Sequence, residues 1–464
     1  MFIPLIWTVV VIVALALCYA YCGCRDVFHP LMFIGPMMAF MYAWMPFKLD
    51  SIGGLAGFFQ RDQLEYVQWI NVAGVACFVL GCLSVGCRLP AIRRPDPEVS
   101  PATLKVAGFI LGCIGLVAWC MTVVHGTGGD LAGYRGGWDD SGYIRDASLL
   151  MFSAFLLILS GALREGLKLS HILLLGLFIA PSLIEAAFSA RRGPTFMIAV
   201  VLTMGWYVNR RTRPSLLLTA TAGVLLGFLM LFLVSNRQNI YLGSDREMTT
   251  DVTNIVEKPD SGNEYIYGAG TILSSEQRGS FYWGRRYLAQ VLIRPIPSSV
   301  WPTKYDDVGL PELMHNAGTG EGFLEILGWE GAEGSAPGLI ADLWTEFHWL
   351  NLPVLFIQGL LYGYVWRKAQ LEGGPWNAQY VIMAALSVYF VMQTMEAVIF
   401  RLLILSVPLW IAWRLARRNE RRANPVYRPL RQYAARLASN EKPGALALKR
   451  NSPRRSPLPG LFAE

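Results

Sequence analysis

Ser189-Ala190-Arg191-Arg192-Gly193-Pro194 joins two strongly apolar runs, His171 to Phe188 and Pro194 to Val208. Each run approaches the ~20 largely apolar residues that a membrane-spanning helix needs, so the stretch reads as a tight turn at a membrane face carrying two guanidinium groups. Similar runs precede and follow it: Phe2 to Tyr21, Leu31 to Phe47, Tyr66 to Gly86, Thr103 to Val124, Ala147 to Leu163 and Ser215 to Val234. After a long interruption come Leu350 to Trp366, Gln379 to Met395 and Leu402 to Trp413. A 464-residue chain with 54% hydrophobic and 16% charged residues is too apolar for a soluble globular protein. The expectation is an all-α polytopic integral membrane protein of about eleven transmembrane helices (ten to twelve), with one large extracytoplasmic loop containing short amphipathic helices.

Orientation follows from Lys and Arg in the short connections, which stay preferentially in the cytoplasm. The links holding Arg88, Arg93, Arg94 and Lys105, then Arg164 and Lys168, then Arg210, Arg211 and Arg213, then Arg367 and Lys368 alternate so as to share one side. With that side inside, the N-terminus is external, the C-terminus is internal, and Arg191 and Arg192 face out. Four regions result: 1–235, an N-terminal transmembrane region of about eight helices; 236–342, a large external loop; 343–415, a C-terminal transmembrane region of about three helices; and 416–464, a basic cytoplasmic tail.

The net charge of +7 belongs to that tail. Arg414 to Glu464 holds thirteen Lys/Arg against three Asp/Glu, or +10, leaving −3 for the remainder. A basic, Pro- and Ser-rich extension suits anionic lipid heads, and no nucleic-acid partner is expected. All eight cysteines lie at or before Cys120, in or beside apolar runs; no disulfide framework and no zinc spacing is read from them.

Between Asn236 and Pro337 eight Lys/Arg meet fourteen Asp/Glu, which suits an external location. The part through Glu264 to Gly270 is polar with scattered glycine and reads as partly mobile. Ser280 to Ile293 places aromatic and aliphatic residues at helical spacing around Arg285-Arg286, the pattern of an interfacial amphipathic helix. Arg294-Pro295-Ile296-Pro297 breaks it, Val300 to Lys304 is a rigid aromatic strip, and an acidic Gly-rich stretch leads to Leu339 to His348, where the chain re-enters the membrane.

Arg191 and Arg192 admit two readings, a snorkelling pair on lipid phosphates or a site for a phosphorylated lipid-linked substrate. Gly193 and Pro194 open the next helix, whose free amides add to an anion site. Further arginines stand on the same face: Arg135, Arg145, Arg237, Arg285, Arg286, Arg294 and Arg401. Together they suggest a diphosphate pocket. Glu396 and Arg401 interrupt an apolar run, either as an ion pair or as functional groups. The chain has no G-x-x-x-x-G-K-[ST] loop, no G-x-G-x-x-G after a strand and no H-E-x-x-H.

From Leu104 to Arg401 the chain resembles the bacterial oligosaccharide repeat-unit polymerases, the Wzy-type polymerases of O-antigen, capsule and exopolysaccharide. The resemblance rests on Arg191-Arg192-Gly193 opening a helix, Arg237 after the following helix, Arg285-Arg286 ahead of Ile296 to Lys304, the Gly-rich stretch before Ala341-Asp342-Leu343-Trp344, and the late Arg401. The chain departs from the family at the last re-entry, carrying Asp342 and then Glu346-Phe347-His348. The resemblance implies a fold related to the integral-membrane (GT-C-like) glycosyltransferases and inverting, metal-independent glycosyl transfer without a cofactor, at the periplasmic face of the bacterial inner membrane. It also implies an undecaprenyl-diphosphate-linked oligosaccharide as both donor and acceptor, with a chain-length regulator and other polysaccharide-assembly proteins as partners.

That reaction needs cations for the departing diphosphate and a general base for the acceptor hydroxyl. Arg191, Arg192, Arg237 and Arg401 are candidates for the first role, supported by Arg285 and Arg286. Glu321, Glu325, Asp342, Glu346, His315 and His348 are available for the second, with Asp342 and Glu346 favoured because partial desolvation at the re-entry raises a carboxyl pKa. Trp301 and Trp344 are candidates for stacking on sugar rings. The rival readings are an O-antigen-ligase-like transferase and a transporter or flippase of a lipid-linked glycan.

Overall fold

The computed structural model describes residues 1–86, 99–126, 144, 146–188, 192–235, 264–297, 300–319, 321–329 and 336–423 of the chain. Every regular element among them is helical. Among these described residues six helices are long and apolar enough to cross a membrane, so the protein is a helical membrane protein.

The first three are α1 (Phe2–Gly23), α2 (Pro30–Ser51) and α3 (Arg61–Ser84). Pro30 supplies the fixed φ that suits a first helical position, and the His29 imidazole accepts from Leu31 N–H. Gln60 and Gln63 close a reciprocal capping box at the start of α3. Next come α4 (Pro101–Gly126), α5 (Leu150–Glu165), α6 (Leu169–Phe188), α7 (Arg192–Arg210) and α8 (Leu216–Ser235). Gly108 and Gly115 let α4 press onto α5: a Cβ at Gly108 would come 2.7 Å from the Ile158 side chain, and one at Gly115 equally near Met151.

Between α8 and the C-terminal helices lie α9 (Glu264–Arg278), α10 (Arg285–Leu288), α11 (Lys304–Asp307), α12 (Leu310–Asn316), α13 (Glu321–Leu327) and α14 (Gly338–Phe347). Of the loop's first part through Gly270, read as polar and partly mobile, residues 236–263 lie outside the described ones, and Glu264 to Gly270 form the first half of a helix. Gly268 and Gly270 explain the difference. A Cβ at Gly268 would strike the Pro337 carbonyl, and one at Gly270 would lie 2.8 Å from the Phe323 ring, so their bare backbone is what lets α9 dock. Ser274 and Ser275 add hydrogen bonds from their hydroxyls to the carbonyls of Gly318 and Ala317.

The amphipathic helix expected over Ser280 to Ile293 is shorter. Tyr282 and Trp283 donate their N–H groups to the Thr345 and Glu346 carbonyls at 2.9 and 2.7 Å, which keeps that part out of a helix. Trp283 and Gly284 then take φ of 52° and 80°, and only from Arg285 does the chain wind, through α10 into a π-turn over Ala289–Ile293.

The last four helices are α15 (Asn351–Glu372), α16 (Pro375–Ala385), α17 (Ser387–Met392) and α18 (Met395–Ala423). Two expectations change here. The apolar run Gln379 to Met395 is not one helix: it breaks at Leu386, where the Ser387 hydroxyl turns back to the Ala384 carbonyl at 2.7 Å, and again at Gln393, which is extended. Glu396 and Arg401, which the sequence sets between two apolar runs, lie within the first two turns of α18. The expectation of no disulfide is also corrected at one position, since Cys24 is disulfide-bonded.

α3 and α15 run parallel and in close contact. A Cβ at Gly81 would strike the Phe356 carbonyl and one at Gly359 the Phe78 carbonyl, while Gly363 stands against Cys82 and Val85. Gly359-Leu360-Leu361-Tyr362-Gly363 is thus a small-xxx-small face. Lipid tails are as apolar as leucine, so helices in a membrane associate by such close packing. At one end of the bundle Asp26 gathers Arg213 Nε at 2.7 Å, Gln370 Nε2 at 2.8 Å and Trp366 Nε1 at 2.9 Å. A buried charge with this many donors ties the α1–α2 link to α15 and to the α7–α8 link.

Candidate functional site

Arg286 is the centre of a buried charged cluster built from three separate parts of the chain. Gly284, left-handed at φ 80°, turns the backbone so that α10 starts with Arg286 pointing inward, only 8% exposed. α14 offers Asp342 and Glu346, four residues apart on one helical face and both fully buried. The first turn of α18 brings Glu396.

The bonding within the cluster is unequal. Arg286 pairs through one terminal amino group with Asp342 Oδ1 and through Nε with Glu346 Oε1 at 2.7 Å. Asp342 Oδ2 also accepts from the Tyr287 hydroxyl at 2.5 Å and from Met395 N–H at 2.7 Å, which anchors the start of α18. Glu346 Oε2 accepts from Gly284 N–H at 3.0 Å. Glu396 Oε2 stands 3.8 Å from Arg286 Nε, and this buried oxygen has no hydrogen-bond partner among the described residues. Gln290, one turn beyond Arg286 and 4% exposed, has an unpartnered Oε1 as well.

One cation therefore faces three carboxyl groups. Burial, only partly offset by Arg286, pushes the Glu346 carboxyl up to about 7. Burial also raises the Tyr287 hydroxyl well above its ordinary range, with the negative Asp342 adding to it. The Arg286 charge is opposed by burial but upheld by Asp342, Glu396 and Glu346.

This geometry revises several roles expected from the sequence. Arg286, expected to support a diphosphate site, instead gives its Nε and Nη2 groups to Glu346 and Asp342. Asp342 has both oxygens occupied by donors, which disfavours it as a base. Glu346 has the raised pKa expected of a desolvated base, but both of its oxygens are also engaged. Glu396, half-buried and with a free oxygen, is the carboxylate that can accept a proton without first breaking a hydrogen bond. The alternative of a Glu396–Arg401 ion pair is replaced by the approach of Glu396 to Arg286. Sequence reasoning missed both the Glu396–Arg286 approach and the Tyr287 hydroxyl; the signal available was the recurrence of Arg286, Gln290 and Arg294 at four-residue spacing, which puts them on one face.

Arg401 looks elsewhere. Five residues beyond Glu396 is about 140° around a helix and ~7.5 Å along it, and its guanidinium rests on the Tyr389 ring, 4.3 Å from the centroid. The Tyr389 hydroxyl fills the space beside Gly193, where a Cβ would overlap it. Tyr389 thus stands between the late arginine and the start of α7. Arg192 is the first residue of α7, but its side chain, together with Arg191 and Arg237, lies outside the described residues. Arg294 pairs with Asp146 at 2.9 Å and covers the Phe400 ring at 4.5 Å. Arg285 is exposed beside the cluster.

The tryptophans divide. Trp344 is fully buried and donates Nε1 to Glu276 at 2.9 Å, so no sugar can stack on it; it serves the core. Trp301 is half-buried and donates Nε1 to Asp307 at 2.6 Å, which fixes the ring without covering it completely. His348 Nε2 lies 3.0 Å from the same Glu276 carboxylate, with its ring stacked on Phe281. His315 and Glu325 form an exposed pair with Arg278. Among the described residues no group of three or more His, Cys, Asp and Glu side chains is placed to hold a metal ion.

No protein-family model, curated protein or solved structure matches this chain.

Proposed function

We propose that the protein is a polysaccharide polymerase of eleven transmembrane helices, a membrane glycosyltransferase of Wzy type. It joins polyprenyl-diphosphate-linked oligosaccharide repeats, and the Arg286 side of α18 faces the periplasm. The observation that carries this reading is the meeting of Arg401, Tyr389 and Gly193. Two arginine-bearing motifs separated by some two hundred residues converge at one helix N-terminus, as a diphosphate site requires.

In this reading Arg401 and the start of α7, with Arg191, Arg192 and Arg237, hold the donor diphosphate. The acceptor hydroxyl oxygen attacks the anomeric carbon, the bond from that carbon to the phosphate oxygen breaks, and the hydroxyl proton passes to a carboxylate. Glu396 is the proton acceptor, while Asp342 and Glu346 fix Arg286 beneath it. An inverting displacement places base and leaving group on opposite sides of the reacting carbon, and the two faces of α18 supply that separation. Trp301 remains the candidate for a sugar contact.

Purified protein incubated with polyprenyl-diphosphate-linked repeat units tests this directly. A ladder of longer glycans supports polymerisation, and no ladder from intact, folded protein contradicts it. A second reading, transport of the lipid-linked glycan, draws on the burial of three carboxyl groups with one arginine, since ionisable groups inside a membrane bundle often mark transport paths. Movement of the same lipid across liposomes without chain growth is the outcome that selects it. Transfer only to a different acceptor selects a ligase-like enzyme.

A further inference from the structure

A groove away from the Arg286 cluster runs between the C-terminal halves of α3 and α15. The backbones touch at Gly81, Gly359 and Gly363, and the side chains beyond the contact spread apart around a groove of about 460 Å³. Val85, Ile357, Leu360, Leu361, Tyr364 and Arg367 line it. Ile357, Leu360 and Leu361 are 59%, 39% and 47% exposed, an apolar wall open to the surrounding lipid.

The groove is polar at one end only. Arg367 Nη1 donates to the Val85 carbonyl at 2.7 Å, which caps the last turn of α3 and pins the guanidinium at the mouth. Its other N–H groups take no acceptor among the described residues. Lys368 lies over the Tyr364 and Trp376 rings and pairs with Glu372 at 2.6 Å. Aromatic rings with cations mark the headgroup level of a bilayer.

We propose that this groove binds an anionic glycerophospholipid, with one acyl chain along Ile357, Leu360 and Leu361 and the phosphate at Arg367. A guanidinium held by one N–H keeps a free edge for two phosphate oxygens. Any phospholipid offers that phosphate, but Arg367 has no carboxylate partner among the described residues, and its uncompensated charge favours a net negative head over a zwitterionic one. The proposal does not depend on the glycosyl-transfer reading.

Native mass spectrometry of the detergent-purified protein, with phosphatidylglycerol and phosphatidylcholine of identical chains added back, tests it. Wild type retains phosphatidylglycerol about tenfold better, a difference of ~1.4 kcal/mol. Arg367→Gln and Leu361→Trp both lose that preference, the second by filling the groove while leaving the Arg367–Val85 bond in place. Should Leu361→Trp fail to purify, Leu360→Trp fills the same space. Equal retention of the two lipids by wild type, or a preference that survives the tryptophan variant, overturns the proposal.

Discussion

Arg286 Nε and Glu346 Oε1 lie 2.7 Å apart in a buried pair that links α10 to α14. Removing the cation leaves Asp342, Glu346 and Glu396 facing one another with nothing to offset them. Unpairing a buried ion typically costs ~3–5 kcal/mol. Arg286→Met is therefore expected to lower the melting temperature sharply or prevent accumulation in the membrane, as read by fluorescence-detected size exclusion. Adding Asp342→Asn and Glu346→Gln to that variant restores part of the loss. A stable, monodisperse single variant contradicts this account of the cluster.

The Glu346 carboxyl also sets a pH dependence. Its pKa is raised from 4.5 in the unfolded chain to about 7 in the folded one, chiefly by burial. The folded state thus binds the proton more tightly, and its contribution is fully present below 4.5 and lost as pH rises through 7. Thermal stability in detergent is expected to decline across that window, by on the order of 3 kcal/mol at most. Glu346→Gln flattens the slope. An identical slope in the variant and wild type assigns the dependence to another group.

Gly193 is expected to tolerate no side chain. A Cβ there overlaps the Tyr389 hydroxyl, so Gly193→Ala forces Tyr389 or the start of α7 to move, at a cost of ~1–3 kcal/mol typical of overpacking. Tyr389→Leu removes both the hydroxyl and the ring carbons, 2.3 and 2.8 Å away, that the Cβ would meet. The double variant is therefore more stable in a thermal-shift measurement than the sum of the two single changes; simple additivity contradicts the contact.

Glu396→Gln keeps the shape of the side chain and removes its ability to take up a proton as a base. Product formation in the glycan assay is expected to fall by about a hundredfold or more, the usual worth of a general base, with elution profile and melting temperature maintained. Activity close to wild type moves the base elsewhere, with His348 beside Glu276 the next residue to test.

The membrane-protein class was legible because apolar runs of spanning length survive without any tertiary information. Helix boundaries were less so. The break at Leu386 contains neither proline nor glycine and arises from the Ser387 hydroxyl and the need to bring Met395 N–H onto Asp342, a partner fifty-three residues away in sequence. The order of Glu264 to Gly270 was hidden for the same reason: glycines that signal looseness in isolation here mark where Pro337 and Phe323 come close. At the candidate site the sequence pointed to Asp342, Glu346, Arg286 and Arg401. It did not tell which arginine was already neutralised, because pairing depends on which helix faces meet. Trp344 shows the converse, an aromatic in a promising position whose full burial gives it to the core.

The central claim is that Arg401, resting on Tyr389 at the start of α7, holds the donor diphosphate. The most direct measurement is the glycan ladder formed by purified Arg401→Ala from polyprenyl-diphosphate-linked repeat units, beside wild type matched for folding by melting temperature. The account predicts that single repeats remain unextended while the protein stays intact. A ladder of normal length and rate from Arg401→Ala contradicts it.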